Sequence, residues 1–224
     1  MRIIDQSVQV VYPRTLAEGV DELKRIETAG RNCWRSEGKI TALSYRTFIE
    51  NLMKRGHESP LEFGEIMLDI TTSRDVLAEI TRHRLASFAV ESQRYVNESK
   101  DEGGIKFIRP LFYKPFDEVY NYRLHLGENR DIEYESSRKW EDAMELAEDA
   151  YDQMIAMGMK NQDARKVLPN STACRIVMKC NLRELLHIYA LRSSPAAYPE
   201  MRELMRLMKI EVDNVYPGFL PEKE

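Results

Sequence analysis

The chain has 224 residues, 43% hydrophobic and 31% charged, which is enough apolar material for a sizeable core and excludes a disordered polyelectrolyte. A formal net charge of −4 argues against a general nucleic-acid coat while leaving room for a local basic pocket. No apolar run reaches the roughly 18 residues of a membrane span, no secretory signal pattern opens the chain, and three cysteines without a CxxC pair suit a reducing compartment, so a soluble cytoplasmic protein is expected.

The opening IIDQSVQVV reads as a strand, and residues 16–34 carry helical periodicity. A second helix is predicted over residues 43–54, stopped by Gly56. HESPLE, with Pro60 inside, is a turn, and GEIMLDIT alternates apolar and polar residues as a half-buried strand does. SRDVLAEITRHR reads as a short helix with Ser73 as cap, an apolar stripe of Val76, Leu77 and Ile80, and the basic triplet closing it. Residues 88–95 are extended or loop.

GIKFIRP is a further strand, followed by an aromatic loop around Tyr113 and Phe116. A long amphipathic helix is predicted over residues 133–157 and a short one over 161–167, closed by Pro169. In TACRIVMKC, Cys174, Ile176, Met178 and Cys180 face one way and Arg175, Val177 and Lys179 the other, a strand pattern. Helices over residues 182–192 and 198–215 finish the chain. Strands and helices mix without βαβ alternation, and no G-x-G-x-x-G occurs. The expected fold is α+β, a mixed, mostly antiparallel sheet packed with helices, in a single domain over residues 1–224.

The densest chemistry is Arg82-His83-Arg84, followed by Ser87, Glu91, Ser92, Arg94 and Tyr95. Guanidinium groups with hydroxyls between them suit phosphate oxygens, which arginine binds through bidentate charge-assisted hydrogen bonds. In an extended segment Ser92 and Arg94 would face one side and share a phosphate. The bland alternative is that the triplet only complements the dipole of a helix C-terminus. His57, Glu62 and His83 have no H-E-x-x-H or Cys/His spacing, and no metal site is expected.

RHRLASFAVESQRY resembles the RHR-x7-S motif of flavin-dependent thymidylate synthases, with Arg82, His83 and Arg84 on the triplet and Ser92 on the closing serine. HESPLE resembles the family's H-E-[TS]-P-x-E segment at His57, Glu58, Ser59 and Glu62. DARKVLPN is similar to its A-R-x-x-L-P segment, and Asn181, Arg183, His187, Leu191 and Arg192 to its N-x-R segment ending in L-R. The resemblance runs over most of the chain, from about residue 31 to 202.

The resemblance implies a methyltransferase in which FAD is reduced by NADPH and methylenetetrahydrofolate supplies one carbon to dUMP, giving dTMP without a cysteine nucleophile. A classical thymidylate synthase is not matched, because the surroundings of Cys174 differ. By the same resemblance Arg82, His83 and Arg84 hold the FAD together with Ser59, Glu62, Asn181, Arg183 and His187. Glu91, Ser92, Gln93, Arg94 and Arg165 bind the nucleotide, and Arg192 contacts the uracil edge as the catalytic residue, stabilising developing negative charge. A homotetramer with sites built from several subunits is implied, with dUMP, folate and NADPH as partners and neither nucleic acid nor membrane.

The chain departs from the family pattern at named positions. Ala89 stands where Asn or Ser is frequent, Phe63 where His is common, and AAYPEMRE replaces the usual stretch after the L-R pair. Glu79 replaces a frequent Gln and is expected either to repel a phosphate or to pair with Arg82. These departures leave UMP or a modified uridylate open as substrate. A reading from another class is a non-enzymatic nucleotide- or nucleic-acid-binding module built on the arginine cluster.

Overall fold

The computed structural model describes residues 1–100, 103–117 and 131–222. In chain order these form β1 (Arg2–Ile4), β2 (Ser7–Tyr12), α1 (Leu16–Cys33), α2 (Ser44–Lys54), β3 (Glu65–Ser73), α3 (Arg74–Ile80) and β4 (Ser87–Val90). Then follow β5 (Lys106–Ile108), α4 (Ile132–Ala156), α5 (Asn161–Ala164), β6 (Ala173–Asn181), α6 (Leu182–Arg192) and α7 (Pro199–Val215). The class is α+β, as expected. Contacts gather the chain into two compact units, Met1–Gln6 with Thr72–Leu77 and Glu91–Cys174, and Ser7–Thr71 with Ala78–Val90 and Arg175–Glu224.

The second unit is built on a sheet of order β2-β3-β6-β4. β2 runs antiparallel to β3 with Val8 opposite Ile70, and β4 antiparallel to β6 with Phe88 opposite Met178. The alternation of β6 holds: Ile176, Met178 and Cys180 are buried, while Arg175 reaches Asp69 at 2.9 Å and Lys179 reaches Glu65 at 2.6 Å across the neighbouring strand. Helix α7 buries Met201, Leu204, Met205, Met208 and Val212, an i, i+3, i+4 stripe, and packs on β2 and α1. Gly19 admits this approach, since a Cβ there would lie 2.0 Å from the Val215 carbonyl oxygen.

A close approach also fixes the turn that carries Glu58 and Glu62. A Cβ on Gly64 would stand 2.7 Å from Ile26 and 3.1 Å from Leu182. Its absence lets the Leu182 N–H donate to the Gly64 carbonyl at 3.0 Å, which seats the start of α6 beside the 3-10 turn Ser59–Phe63.

In the first unit β1 runs parallel to β5, and Met144 and Tyr151 of α4 pack with Ile105, Phe107 and Ala164. The expected aromatic loop becomes a cage: Tyr113, Phe116 and Tyr134 surround the Arg138 guanidinium, which pairs with Glu141.

Two expectations change. The N-terminal strand divides, because Gln6 turns inward to accept a hydrogen bond from the Thr72 hydroxyl at 2.6 Å, and the two pieces join different sheets. Helix α3 stops at Ile80, so the Arg82-His83-Arg84 triplet lies in the turn after it. Among the described residues no helix is long and apolar enough to cross a membrane.

Candidate active site

The site is organised around His83, which sits in the turn leaving α3 and is 5% exposed. Its own N–H bonds to the Ile80 carbonyl at 3.2 Å, and its carbonyl accepts from Ala86 at 3.1 Å, so the backbone is fixed on both sides. Opposite it runs α6, whose N-cap Asn181 accepts from the Glu184 N–H at 2.8 Å. Leu182, Leu185 and Ile188 anchor α6 in the core, and this leaves Arg183 and His187, four residues apart, on its outer side.

Arg192, the last residue of α6, reaches back over this turn. Its Nε donates to His83 Nε2 at 3.0 Å, its Nη1 to the Glu79 carboxylate at 2.8 Å, and its Nη2 to the Glu79 carbonyl at 2.8 Å. The other ring nitrogen of His83, Nδ1, faces the Glu184 carboxylate at 3.4 Å. The His187 ring meets His83 edge-on with centroids 5.7 Å apart.

Burial first, and then the Arg192 cation, push His83 down to about 4 despite the nearby Glu184. The imidazole is therefore neutral near pH 7, with its proton on Nδ1 and the Nε2 lone pair turned to Arg192. Glu184, His83, Arg192 and Glu79 form one continuous polar chain. This overturns the expectation that Glu79 repels phosphate or pairs with Arg82: the Arg192 guanidinium meets both its carboxylate and its carbonyl.

Two cavities flank this chain. One, of about 430 Å³, is lined by Arg82, His83, His187, Leu191, Arg192 and Ser194. The other, of about 800 Å³, is lined by Glu62, Leu85, Asn181, Arg183 and His187 among others. Both volumes fall within the range of ligand pockets, and His187 stands in both walls. Arg183 bonds Glu62 at 2.6 Å and lies 3.8 Å from Glu58, so both acids face Arg183. Ser59 and Arg84 are exposed and are not among the lining residues of either cavity.

The remaining expected residues belong to the first unit. Ser92 and Arg94 do not lie on an extended strand: Tyr95 and Val96 both donate to the Ser92 carbonyl at 3.0 Å, and the Arg94 N–H to the Ser92 hydroxyl at 3.4 Å, which makes a tight turn. Arg94 stacks on Tyr95, and the Glu91 carbonyl accepts from Arg74 at 3.5 Å. Asn161 donates to the Tyr95 carbonyl at 3.4 Å and so ties the start of α5 to this turn, while Arg165 at the end of α5 donates to the Gln162 carbonyl. Gln93 is buried, and its Nε2 has no protein partner among the described residues.

Ligand atoms of His83, Glu184 and His187 lie within 4.8 Å of one another, the one set of potential metal ligands among the described residues. The Arg192 Nε–H already occupies His83 Nε2, and its cation repels a dication there. Burial raises the Cys174 thiol to about 11 and Cys180 to about 12, so neither is a thiolate near neutrality. Glu184 and the partnership of Glu79 with Arg192 escape the sequence reading. For Glu184 a signal existed in the Asn-x-x-Glu pattern of a helix start at Asn181.

A family model described as thymidylate synthase complementing protein matches residues 15–218. A flavin-dependent thymidylate synthase from Geobacter sulfurreducens is 32% identical over 195 residues, 82% of this chain and 76% of that one. The chain belongs to the flavin-dependent thymidylate synthase family. It is thereby an enzyme, a methyltransferase. A probable member of the same family from Mycobacterium phage L5 is 31% identical over 200 residues, 88% of this chain and 78% of that one. Among solved structures, thymidylate synthase X from Helicobacter pylori, crystallised with FAD and dUMP, aligns with a TM-score of 0.71 at 23% identity, covering 96% of this chain and 97% of that one. A UMP/dUMP methylase, PolB, from Streptomyces cacaoi bound with 5-Br dUMP aligns with a TM-score of 0.68 at 23% identity, covering 98% and 95%. These two establish the shared fold.

Proposed function

We propose that this protein catalyses the FAD-dependent reductive methylation of dUMP to dTMP, with methylenetetrahydrofolate as one-carbon donor and NADPH as reductant. The observation that carries the reading is the Arg192 guanidinium, held by His83 and Glu79 at the wall of the 430 Å³ cavity beside Arg82. A guanidinium held in place there stabilises negative charge developing on a pyrimidine carbonyl without having to reorganise, which is electrostatic catalysis.

The residues present fit a flavin. The 800 Å³ groove offers the Asn181 amide, the His187 imidazole and the Arg183 guanidinium as donors, and Glu62 as an acceptor for ring N–H groups. In this reading Arg82 and Arg84, on the turn after α3, hold the pyrophosphate, with Ser59 at the rim. His83, both nitrogens engaged, contributes its ring face and the orientation of Arg192. When bound, FAD supplies the reducing equivalents. Glu91, Ser92, Gln93, Arg94 and Arg165 bind the nucleotide phosphate and sugar, and the buried, unpartnered Gln93 amide supports that assignment, since a buried donor without an acceptor is costly.

The whole of residues 1–224 acts as one catalytic domain in this reading, assembled as a cytoplasmic homotetramer whose sites draw on more than one subunit. A second reading, UMP as substrate, is favoured by the likeness to a UMP/dUMP methylase. Titrating the reduced, FAD-loaded protein with each nucleotide tests the choice. dUMP should perturb the flavin spectrum at lower concentration than UMP, and the reverse order moves the assignment to the ribonucleotide.

A further inference from the structure

Glu184 is buried, only 5% exposed, on the helix whose Leu182, Leu185 and Ile188 enter the core. A buried carboxylate is costly unless a cation or a strong donor meets it. The group that faces it is the neutral His83 imidazole, with Nδ1 at 3.4 Å. Such a pair does little for stability. The helix start does not need this side chain either, since it is the Glu184 backbone N–H that donates to Asn181.

Both neighbours of the His83 ring are one-way groups: a carboxylate only accepts and a guanidinium only donates. With Glu184 at Nδ1 and the Arg192 Nε–H on Nε2 at 3.0 Å, a single neutral tautomer satisfies both, the one protonated on Nδ1. The Nε2 lone pair then fixes the plane of the guanidinium. Nη1 and Nη2 each bond once to Glu79 and keep one N–H apiece for a ligand in the 430 Å³ cavity. Glu184 itself lines the 800 Å³ groove, so Arg192 is braced from the far side of the His83 ring.

We propose, resting on the function proposed above, that Glu184 is a positioning residue for the methylation: it holds His83 in the Nδ1–H form and through that ring sets the Arg192 guanidinium for the charge it stabilises. Glu184 touches neither the reacting atoms nor Arg192, and acts through His83.

The test uses full-length, FAD-loaded protein carrying ring-labelled histidine. Nitrogen NMR separates protonated from bare ring nitrogens, and His83→Asn identifies the His83 pair among the four histidines. Turnover of dUMP per bound flavin is measured on the same samples. Glu184→Leu removes the acceptor and keeps a good helix former. Glu184→Gln keeps a carbonyl oxygen for Nδ1–H but can also turn its amide to the ring.

Wild type should carry the His83 proton on Nδ1. Glu184→Leu should move it to Nε2 in a large share of molecules, because a buried Nδ1–H without an acceptor is costly. Its kcat should fall on the order of a hundredfold, as a misplaced catalytic group does. Its KM for dUMP should stay within about threefold, the pattern of an interaction used in the transition state. Glu184→Gln should show both tautomers and an intermediate kcat, and the same readings on it decide the matter where Glu184→Leu does not fold. An unchanged His83 spectrum, an unchanged kcat, or activity lost only in proportion to flavin overturns the proposal alone. Wild type that carries flavin and makes no dTMP overturns the proposed function, and this proposal with it.

Discussion

The Nε of Arg192 donates to Nε2 of His83 across 3.0 Å, although the two residues are 109 positions apart in the chain. The bond requires a lone pair on Nε2, so it holds only while the imidazole is neutral, and it fixes both the tautomer and the plane of the guanidinium. The expected catalytic arginine and the middle residue of the RHR triplet are thus one device.

Stability should depend on pH through this bond. His83 titrates near 4 in the folded protein against an ordinary 6.5. Between these values the unfolded chain binds a proton that the folded site refuses, so stability falls as pH drops through this window and is unaffected by His83 above it. The full contribution is on the order of 3 kcal/mol. Urea unfolding of wild type and His83→Asn across the window should show the wild-type slope reduced in the variant; parallel slopes would contradict it.

Arg183 should matter for ligand and little for folding. Its pairs with Glu62 and Glu58 are about half exposed, and such pairs contribute roughly 0–1 kcal/mol. Arg183→Ala should leave the melting temperature nearly unchanged while lowering flavin content after purification. A large loss of stability with full flavin content would reverse this assignment.

The thiols should divide by burial. Cys33 is exposed, whereas Cys174 and Cys180 are buried with raised pKa values. Native protein should react with an alkylating reagent at Cys33 alone, and denatured protein at all three. Cys174→Ala and Cys180→Ala should retain turnover at a cost of roughly 1 kcal/mol in stability each. Loss of turnover in a folded variant would point to a nucleophilic cysteine.

Gly19→Ala should destabilise far beyond an ordinary helix substitution, because its Cβ meets the Val215 carbonyl oxygen at 2.0 Å. Overpacking of this kind costs about 1–3 kcal/mol, outweighing the helix propensity gained. Thermal melts of the variant settle the sign.

What the sequence disclosed follows from which interactions are local. The alternation of β6 was legible because apolar spacing alone decides its buried face. The shared face of Arg183 and His187 was legible from their i, i+4 spacing. The split of the first strand was hidden, since it depends on Gln6 meeting Thr72, 66 residues away. Pairing Glu79 with Arg82 followed from helix geometry, but α3 ends before Arg82, and Arg192, 113 residues on, supplies the partner. The tight turn at Ser92 falls within the loop alternative for residues 88–95, and its form was hidden because ESQRY contains none of the Gly, Pro or Asn residues that mark turns most strongly.

The central claim is tested most directly by product analysis. FAD-loaded protein is supplied with methylenetetrahydrofolate, NADPH and either dUMP or UMP, and the nucleotides are resolved by mass. The account predicts conversion of dUMP to dTMP, dependent on FAD, faster than any methylation of UMP, and abolished in a flavin-containing Arg192→Ala protein. Faster methylation of UMP, or no methylated nucleotide from protein that carries flavin, would contradict it.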